Sequence, residues 1–221
     1  KYSKSYKNIL NLQNDYRKEN DINLKSVTKI NKKYSKQIKR TYCHNCLIKI
    51  TKPFIKNFGI KYSICNRCGH LNGYNKNTDK FIKWVYSSDV GDHYDSQYSK
   101  FYNERVKNIY KPKVKFLKQV IRDKINLIDL GCGAGHFVKA LETSKINATG
   151  YEVSDYLVKL GNSKLKKNNL KKVELNDLFK IIAEEDNANV ISLIGVLEHF
   201  SRPHDFFKSF TKSKIKYLYI S

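Results

Sequence analysis

The sequence predicts an α/β protein, a doubly wound and mostly parallel sheet preceded by a small cysteine-bearing ribbon. Three observations predict it. Apolar runs alternate with amphipathic segments from Ile125 to Ser221. A glycine-rich turn, "DLGCGAGHF" (129–137), follows the first of those runs. Four of the five cysteines fall into two CxxC pairs between residues 43 and 68. Strands and helices alternating at this spacing specify a parallel sheet with helices on both faces.

Each element has its own signal. "INLIDL" (125–130) is the first strand and "HFVKALETS" (136–144) the helix after it. "ATGYEVS" (148–154) is a second strand, leading into a helix "DYLVKLGNSKLKK" (155–167). "KVEL" (172–175) is expected as a third strand with a short helix behind it. "NVISLIG" (189–195), a helix "PHDFFKSFTK" (203–212) and a last strand "IKYLYIS" (215–221) complete the alternation. Upstream, Pro112 marks an expected helix start, with Val114, Phe116, Leu117, Val120 and Ile121 on its apolar face. Tyr94, Tyr98 and Tyr102 recur every four residues and share one helix face, the usual pattern of core packing. The chain therefore divides into a basic arm (1–40), a ribbon (41–72), a helical linker or lid (73–124) and the sheet core (125–221).

In the ribbon, Cys43 and Cys46 form one CxxC and Cys65 and Cys68 the other. Two such pairs bring four thiolates to one ion, and the set is that of a structural Zn²⁺ site. Four thiolates leave no open coordination position, which excludes a catalytic metal. His44 and His70 each lie beside a cysteine that already fits. A ribbon of about 30 residues buries too little apolar surface to fold alone, so the metal supplies its stability.

Composition limits the partners. The chain carries 43 Lys and Arg against 20 Asp and Glu, a net charge of +23. Of the basic residues 37 are Lys and 6 Arg, amid abundant Asn, Ile and Tyr. That mixture reads as the drift of an AT-rich genome rather than a phosphate-reading surface, which recruits Arg forks. The charge still favours anionic ligands. No apolar run approaches the roughly 20 residues of a membrane span, and no signal-peptide core opens the chain, so a cytoplasmic protein is expected. The chain has no Met and stops within a strand, as a piece of a longer protein would.

The glycine turn fits neither phosphate template. A dinucleotide fold wants G-x-G-x-x-G, but His136 stands at the last position and Gly135 comes one residue early. A P-loop needs a Lys-Ser/Thr pair after its glycines, and none follows. What remains is Asp129, Gly131, Gly133 and Gly135, with Glu152 at the end of the next strand. A carboxylate there is placed to accept hydrogen bonds from the two hydroxyls of a ribose.

"DLGCGAGHF", "GYEVS" and "VISLIGVLEHFSRP" together resemble the class I S-adenosylmethionine-dependent methyltransferases, over roughly residues 112–221. The resemblance implies that Gly131, Gly133 and Gly135 line the methionine half of the cofactor and that Asp129 orients the loop. Cys132 stands within this loop where the family carries small residues, and is read as packing. Glu152 then holds the ribose, Asn176 or Asp177 lies near the adenine, and Ile194 and Gly195 lie by the transferred methyl. With the zinc ribbon added, the chain resembles bacterial methyltransferases of surface-polysaccharide and deoxysugar pathways. It ends before the further catalytic region of the sugar C-methyltransferases, which favours O-methylation.

His199, beside Glu198 in "VLEH", sits where a general base for an acceptor hydroxyl would stand; the alternative is a hydrogen-bonded pair that shapes the loop. Tyr94, Tyr98 and Arg105 are the candidate acceptor contacts from a lid helix. A small anionic molecule, a nucleotide-linked or phosphorylated sugar, is the expected acceptor. The competing readings are an RNA methyltransferase that grips nucleic acid through the ribbon and lysines, and a zinc-stabilised binding module without turnover. "LIGVLEH" lacks the Asn-Pro-Pro-Tyr type of motif that base-methylating enzymes carry, which ranks RNA second.

Overall fold

The structure, a computed structural model, describes residues 16–50, 55–87, 99–174, 177–200 and 203–221. They fall into two compact units, one running to residue 87 and one beginning at residue 99. No described helix is long and apolar enough to cross a membrane.

The first unit pairs a three-stranded antiparallel ribbon with two helices. α1 (Tyr16–Tyr34) is followed by β1 (Ile55–Asn57), β2 (Ile60–Ile64), β3 (Leu71–Gly73) and α2 (Asp79–Ser87). β1 and β2 join through Phe58 and Gly59, both at positive φ (44° and 81°), as a tight hairpin turn of matching twist requires. Of the residues expected as a separate arm, those described (16–40) are helical as far as Tyr34 and belong to this unit. Tyr34, buried at the end of α1, donates to the Asn75 carbonyl and sets its ring 5.7 Å from that of Phe81 in α2. Gly73 is glycine because a Cβ there would lie 2.2 Å from the Tyr34 hydroxyl. The segment expected as one linker, 73–124, is therefore divided between the two units.

The second unit is the predicted parallel sheet. α3 (Tyr102–Arg105) runs through a π turn (Val106–Tyr110) into α4 (Lys111–Val120). The helix thus begins ahead of Pro112, where its start was expected. Proline has no N–H to give an i−4 carbonyl and its ring crowds that position, and the wider turn just before it accommodates both deficits. Then come β4 (Asn126–Leu130), α5 (His136–Thr143), β5 (Asn147–Glu152), α6 (Asp155–Asn162), β6 (Leu170–Lys172), α7 (Leu178–Glu184), β7 (Val190–Leu193), α8 (Pro203–Lys212) and β8 (Tyr217–Ile220).

The strand order is β6-β5-β4-β7-β8, all parallel. The chain steps outward from β4 to one side and then restarts at β7 on the other, so the topological switch point lies between β4 and β7. Alternation within the strands sends Leu127 and Val190 into one core with Val114, Phe137, Leu141 and Leu157. It sends Ile128, Leu130, Ile191 and Leu193 into a second core with Ile182 and Phe206. Both faces are covered, which is why these strands read as nearly continuous apolar runs.

The third strand differs from expectation. It spans Leu170–Lys172 rather than 172–175, and α6 ends at Asn162 rather than 167. The reason is Leu170, which is 3% exposed and occupies the space of three absent side chains. A Cβ on Gly135, Gly150 or Gly161 would come within 2.8, 2.6 and 2.2 Å of its methyl groups. Asn162 fixes its backbone from both sides, donating to the Leu170 carbonyl and accepting from its N–H, each at 3.0 Å. Truncating Leu170 to Ala should empty this cradle and cost about 2–5 kcal/mol of stability in urea unfolding. A loss below about 1 kcal/mol, the range of surface substitutions, would show that the cradle does not organise the sheet edge.

Candidate functional site

The carboxyl ends of β4, β5 and β7 carry the features that the sequence singled out. After Asp129 and Leu130 the chain turns through Gly131, Gly133 and Gly135, each at positive φ (65°, 54° and 71°) with one residue between. This alternation is open to glycine and strained for other residues. Gly131 and Cys132 both donate their N–H to the Tyr151 carbonyl (2.8 and 3.1 Å), and Gly135 donates to the Cys132 carbonyl (3.0 Å) before α5 begins. The loop is thus curled back over the end of β5.

Glu152 locks that arrangement. It is 8% exposed, and one carboxylate oxygen accepts from the Gly133 N–H at 2.8 Å. The other accepts from Val153 (2.8 Å) and Ser154 (3.0 Å). The acid expected at a ribose therefore also holds the glycine loop against the strand end. Asp129 is buried beside it, and the Ser192 hydroxyl on β7 donates to its carboxylate at 2.6 Å. Asp129 and Ser192 are register partners across the switch point, so this bond ties the two central strands. Burial raises the Asp129 carboxyl to about 7; the Ser192 bond opposes the rise and the nearby Glu152 charge adds to it. The Cys132 thiol is pushed well up by burial and by the same two carboxylates, which keeps it from acting as a thiolate nucleophile. Its sulfur lies 2.6 Å from where a Gly150 Cβ would be, in agreement with packing.

At the end of β7, Gly195 (φ 65°) donates its N–H to the Ser221 carbonyl at 2.8 Å. Ile194 is half-buried, and Val196 fills the space that a Gly131 Cβ would need, 2.6 Å away. The loops after β4 and β7 therefore meet at the switch point. Glu198 and His199 follow on a single exposed turn, Leu197–His199, whose N–H at His199 donates to Val196. Asp177 is exposed at the start of α7, and its side chain makes no capping bond. Tyr94, Tyr98 and Asn176 lie outside the described residues. Arg105 closes α3, and its Nε is buried with no hydrogen-bond partner among the described residues.

Sequence reasoning missed one cluster. His136, 2% exposed at the start of α5, is stacked between Tyr102 (centroids 4.2 Å apart, planes at 27°) and Tyr110 (5.4 Å, 13°). The Tyr102 hydroxyl also donates to the Ala134 carbonyl at 3.1 Å, so α3 and the π turn are fastened onto the glycine loop. Only the core reading of Tyr102 pointed here; nothing in the residue spacing joins position 110 to 136.

In the first unit all four sulfurs of Cys43, Cys46, Cys65 and Cys68 lie within 4.8 Å of one another, with Cys43–Cys68 at 3.6 Å and Cys46–Cys65 at 3.4 Å. Tetrahedral Zn–S bonds of about 2.3 Å place sulfurs about 3.8 Å apart, so the cluster fits such an ion. Burial pushes the Cys43 thiol up, but N–H groups of Cys46 and Asn45 and the Asn72 amide outweigh it and bring it down to about 6. Cys46, despite an N–H from Ile48, is pushed up to about 12 by burial and its three sulfur neighbours, the conflict that a dication resolves. Asn72, buried, donates to Cys43 Sγ (3.5 Å) and to the His70 carbonyl (2.9 Å) and accepts from the His44 N–H (2.8 Å), bracing both knuckles. His44 Nδ1 takes the Arg40 guanidinium (3.1 Å) and the His44 and His70 rings stand 6.4 Å apart, so neither joins the sulfur cluster.

The fold is a parallel sheet with a glycine loop at its switch point, and comparison with known proteins gives the family. A family described as methyltransferase domain matches residues 102–215, and the chain belongs to it. Similar solved structures include an S-adenosylmethionine-dependent methyltransferase from Archaeoglobus fulgidus (18% identity over 60% of this chain and 57% of that one, TM-score 0.44). The plantazolicin methyltransferase BpumL in complex with S-adenosylhomocysteine is 15% identical (63% and 53%, TM-score 0.43). Magnesium protoporphyrin IX methyltransferase from Synechocystis PCC 6803 is 16% identical (62% and 68%, TM-score 0.44). The chain spans little more than half the length of the first two. No curated protein is significantly similar to it.

Asp129 makes a pH prediction. Its folded value, about 7, lies above the ordinary carboxylate value of about 4, so the folded state keeps a proton that the unfolded chain loses between those limits. Stability from this group must then fall as pH rises from about 4 to about 7, by up to roughly 1.4 kcal/mol per unit, and level off above. Asp129→Asn keeps an acceptor for Ser192 and cannot titrate. Its stability relative to wild type should therefore rise steadily between pH 4 and 7 in denaturant titrations. A difference that does not change with pH would contradict the assignment.

Proposed function

We propose that the protein is an S-adenosylmethionine-dependent methyltransferase acting on the oxygen of a small anionic acceptor, a nucleotide-linked or phosphorylated sugar precursor of a surface glycan. The observation that carries the cofactor reading is the meeting, at one switch point, of a left-handed glycine loop, a buried Glu152 and the "LIGVLEH" loop. Bound there, the cofactor supplies a methyl group on a positively charged sulfur, open to in-line displacement by the acceptor.

The chain's residues do the rest. Glu152 accepts from the ribose hydroxyls, alongside or in exchange for the backbone N–H groups it now holds. Gly131, Gly133 and Gly135 let the backbone approach the methionine half, and Asp129 fixes their origin through Ser192. Asn176 or Asp177 borders the adenine, and Ile194 and Gly195 border the methyl. Alignment and exclusion of water carry much of the acceleration in such a displacement. His199, exposed on the turn after β7, takes the proton of an acceptor hydroxyl, with Glu198 beside it; Tyr94 and Tyr98 contact the acceptor from the lid side. Cys43, Cys46, Cys65 and Cys68 hold one structural Zn²⁺.

A second reading, RNA as acceptor, has one observation in its favour. Residues 16–87 carry seventeen Lys and Arg against three Asp and Glu, whereas residues 99–221 carry twenty-three against thirteen. Lysine drift acts on both halves alike and does not remove acids. A unit with this excess of cations suits a phosphate backbone.

Elemental analysis of purified protein should give about one zinc per chain, the tetrathiolate stoichiometry. Well-folded protein without metal would remove the zinc assignment. With methyl-labelled cofactor, label should pass to a sugar nucleotide or sugar phosphate within a panel that includes total RNA. His199→Ala should slow that transfer by roughly 10²–10⁴-fold, the usual worth of a general base. Label found in RNA alone would overturn the small-molecule acceptor and install the second reading.

A further inference from the structure

We propose that the first unit carries a nucleotide site for the nucleoside diphosphate end of the acceptor. The inference rests on the acceptor reading above and narrows it to the nucleotide-linked form. The site is a cleft of about 330 Å³ between α1, β2, β3 and the start of α2. It lies on one face of the ribbon. Tyr62 and Gly73 are register partners and so point to the same face, and Ile60, two residues from Tyr62, lies on it too. Gly73, opposite Tyr62, adds no side chain beside its ring. The other face carries Ser63 and Asn72, both buried, with Asn72 bonded to the cysteine cluster.

The cleft joins apolar walls to a few polar groups, the make-up of a small-molecule site. Tyr34 and Phe81, each 7% exposed, form its floor, and the half-buried Tyr62 is the ring that a ligand reaches. A nucleobase stacks on such a ring whatever its identity, since every base has a π face. Asn31 lines the cleft from α1, and its amide nitrogen donates to the Phe58 carbonyl (2.8 Å). Its oxygen is left to accept from a base edge. Asn77, exposed at the rim, offers an acceptor and two donors more.

Charge selects a phosphorylated ligand. Arg40 lines the cleft, and its Nε donates to the Gly73 carbonyl at 3.0 Å. One terminal nitrogen bonds to His44 Nδ1 (3.1 Å); the other has no hydrogen-bond partner among the described residues. The two bonds fix the guanidinium plane and leave one edge for a phosphate, the anion its planar fork matches. No acid is among the lining residues. His44 stands between Cys43 and Cys46, so the knuckle proposed to hold zinc also braces Arg40. Proteins that hold RNA strands lay successive bases on successive aromatic platforms along a groove. Here the rings converge on one cleft, which favours a single free nucleotide over a strand.

Calorimetry on the full chain tests the site with the diphosphates of adenosine, guanosine, cytidine, uridine and thymidine. At least one should bind, and its parent nucleoside should bind more weakly. Tyr62→Ala should weaken that diphosphate by about 5- to 150-fold, the worth of one base–aromatic stack. Arg40→Ala should weaken it by about 10- to 100-fold, the worth of a charge-assisted bond, and spare the nucleoside. Tyr62→Phe and Arg40→Lys keep the ring and the charge, should retain most of the affinity, and guard against variants that do not fold. Diphosphate affinity that neither alanine variant lowers would overturn the proposal, as would binding of RNA oligonucleotides with no free nucleotide bound. Methyl transfer to a sugar phosphate by a chain that binds no nucleoside diphosphate would refute this site and spare the methyltransferase reading. A diphosphate held through Tyr62 and Arg40, with no transfer to any sugar nucleotide, would uphold the site and refute the acceptor.

Discussion

The structure depends on a close approach that admits no side chains. Where the loop after β4 passes β5, β6 and α6, three glycines from three elements leave a space that Leu170 fills, with Cys132 beside it at Gly150 and the Ala134 backbone at Gly161. A methyl group at Gly135, Gly150 or Gly161 would push the loop, the strand or the helix away from the others. This packing sets how far the glycine loop can lean over β5, and hence where its N–H groups and those of Cys132 meet the Tyr151 carbonyl. The same approach brings Gly133 to Glu152. Interior packing and the proposed ligand site are one arrangement seen from two sides.

That arrangement changes the meaning of the glycines. A glycine-rich turn invites the view that each glycine makes room for a ligand. At Gly131 and Gly135 the missing Cβ makes room for protein, Val196 in one case and Leu170 in the other. The positive φ values still shape the turn, but two of its three glycines also answer to neighbours behind it. Glu152 has a similar double part. Its carboxylate closes the backbone of the loop, so the proposed ribose contact would couple loop order to binding through one side chain.

Much of this was legible in the residues. β4, β5, β7 and β8 fall within a residue or two of their apolar runs, because a parallel sheet covered on both faces needs such runs. The two CxxC pairs read as one cluster because the spacing leaves thiols few other uses. What escaped the sequence depends on partners distant along the chain. The third strand shifted because Leu170 is buried by glycines up to 35 residues before it, which no local alternation reveals. α1 carries few apolar residues and looked like an arm; Tyr34 and the contacts it makes near residues 73–81 give it a place. The Tyr102–His136–Tyr110 stack joins segments that share no pattern, and it is what fastens α3 to the loop.

The central claim is that this loop and Glu152 hold S-adenosylmethionine, and titration calorimetry with S-adenosylhomocysteine tests it most directly. Wild-type protein should bind, and Glu152→Ala, with its sheet intact by circular dichroism, should bind more weakly by about 1.5–3 kcal/mol, the worth of hydrogen bonds to a charged group. Affinity unchanged by the substitution, or tight binding of NAD in place of S-adenosylhomocysteine, would contradict the account.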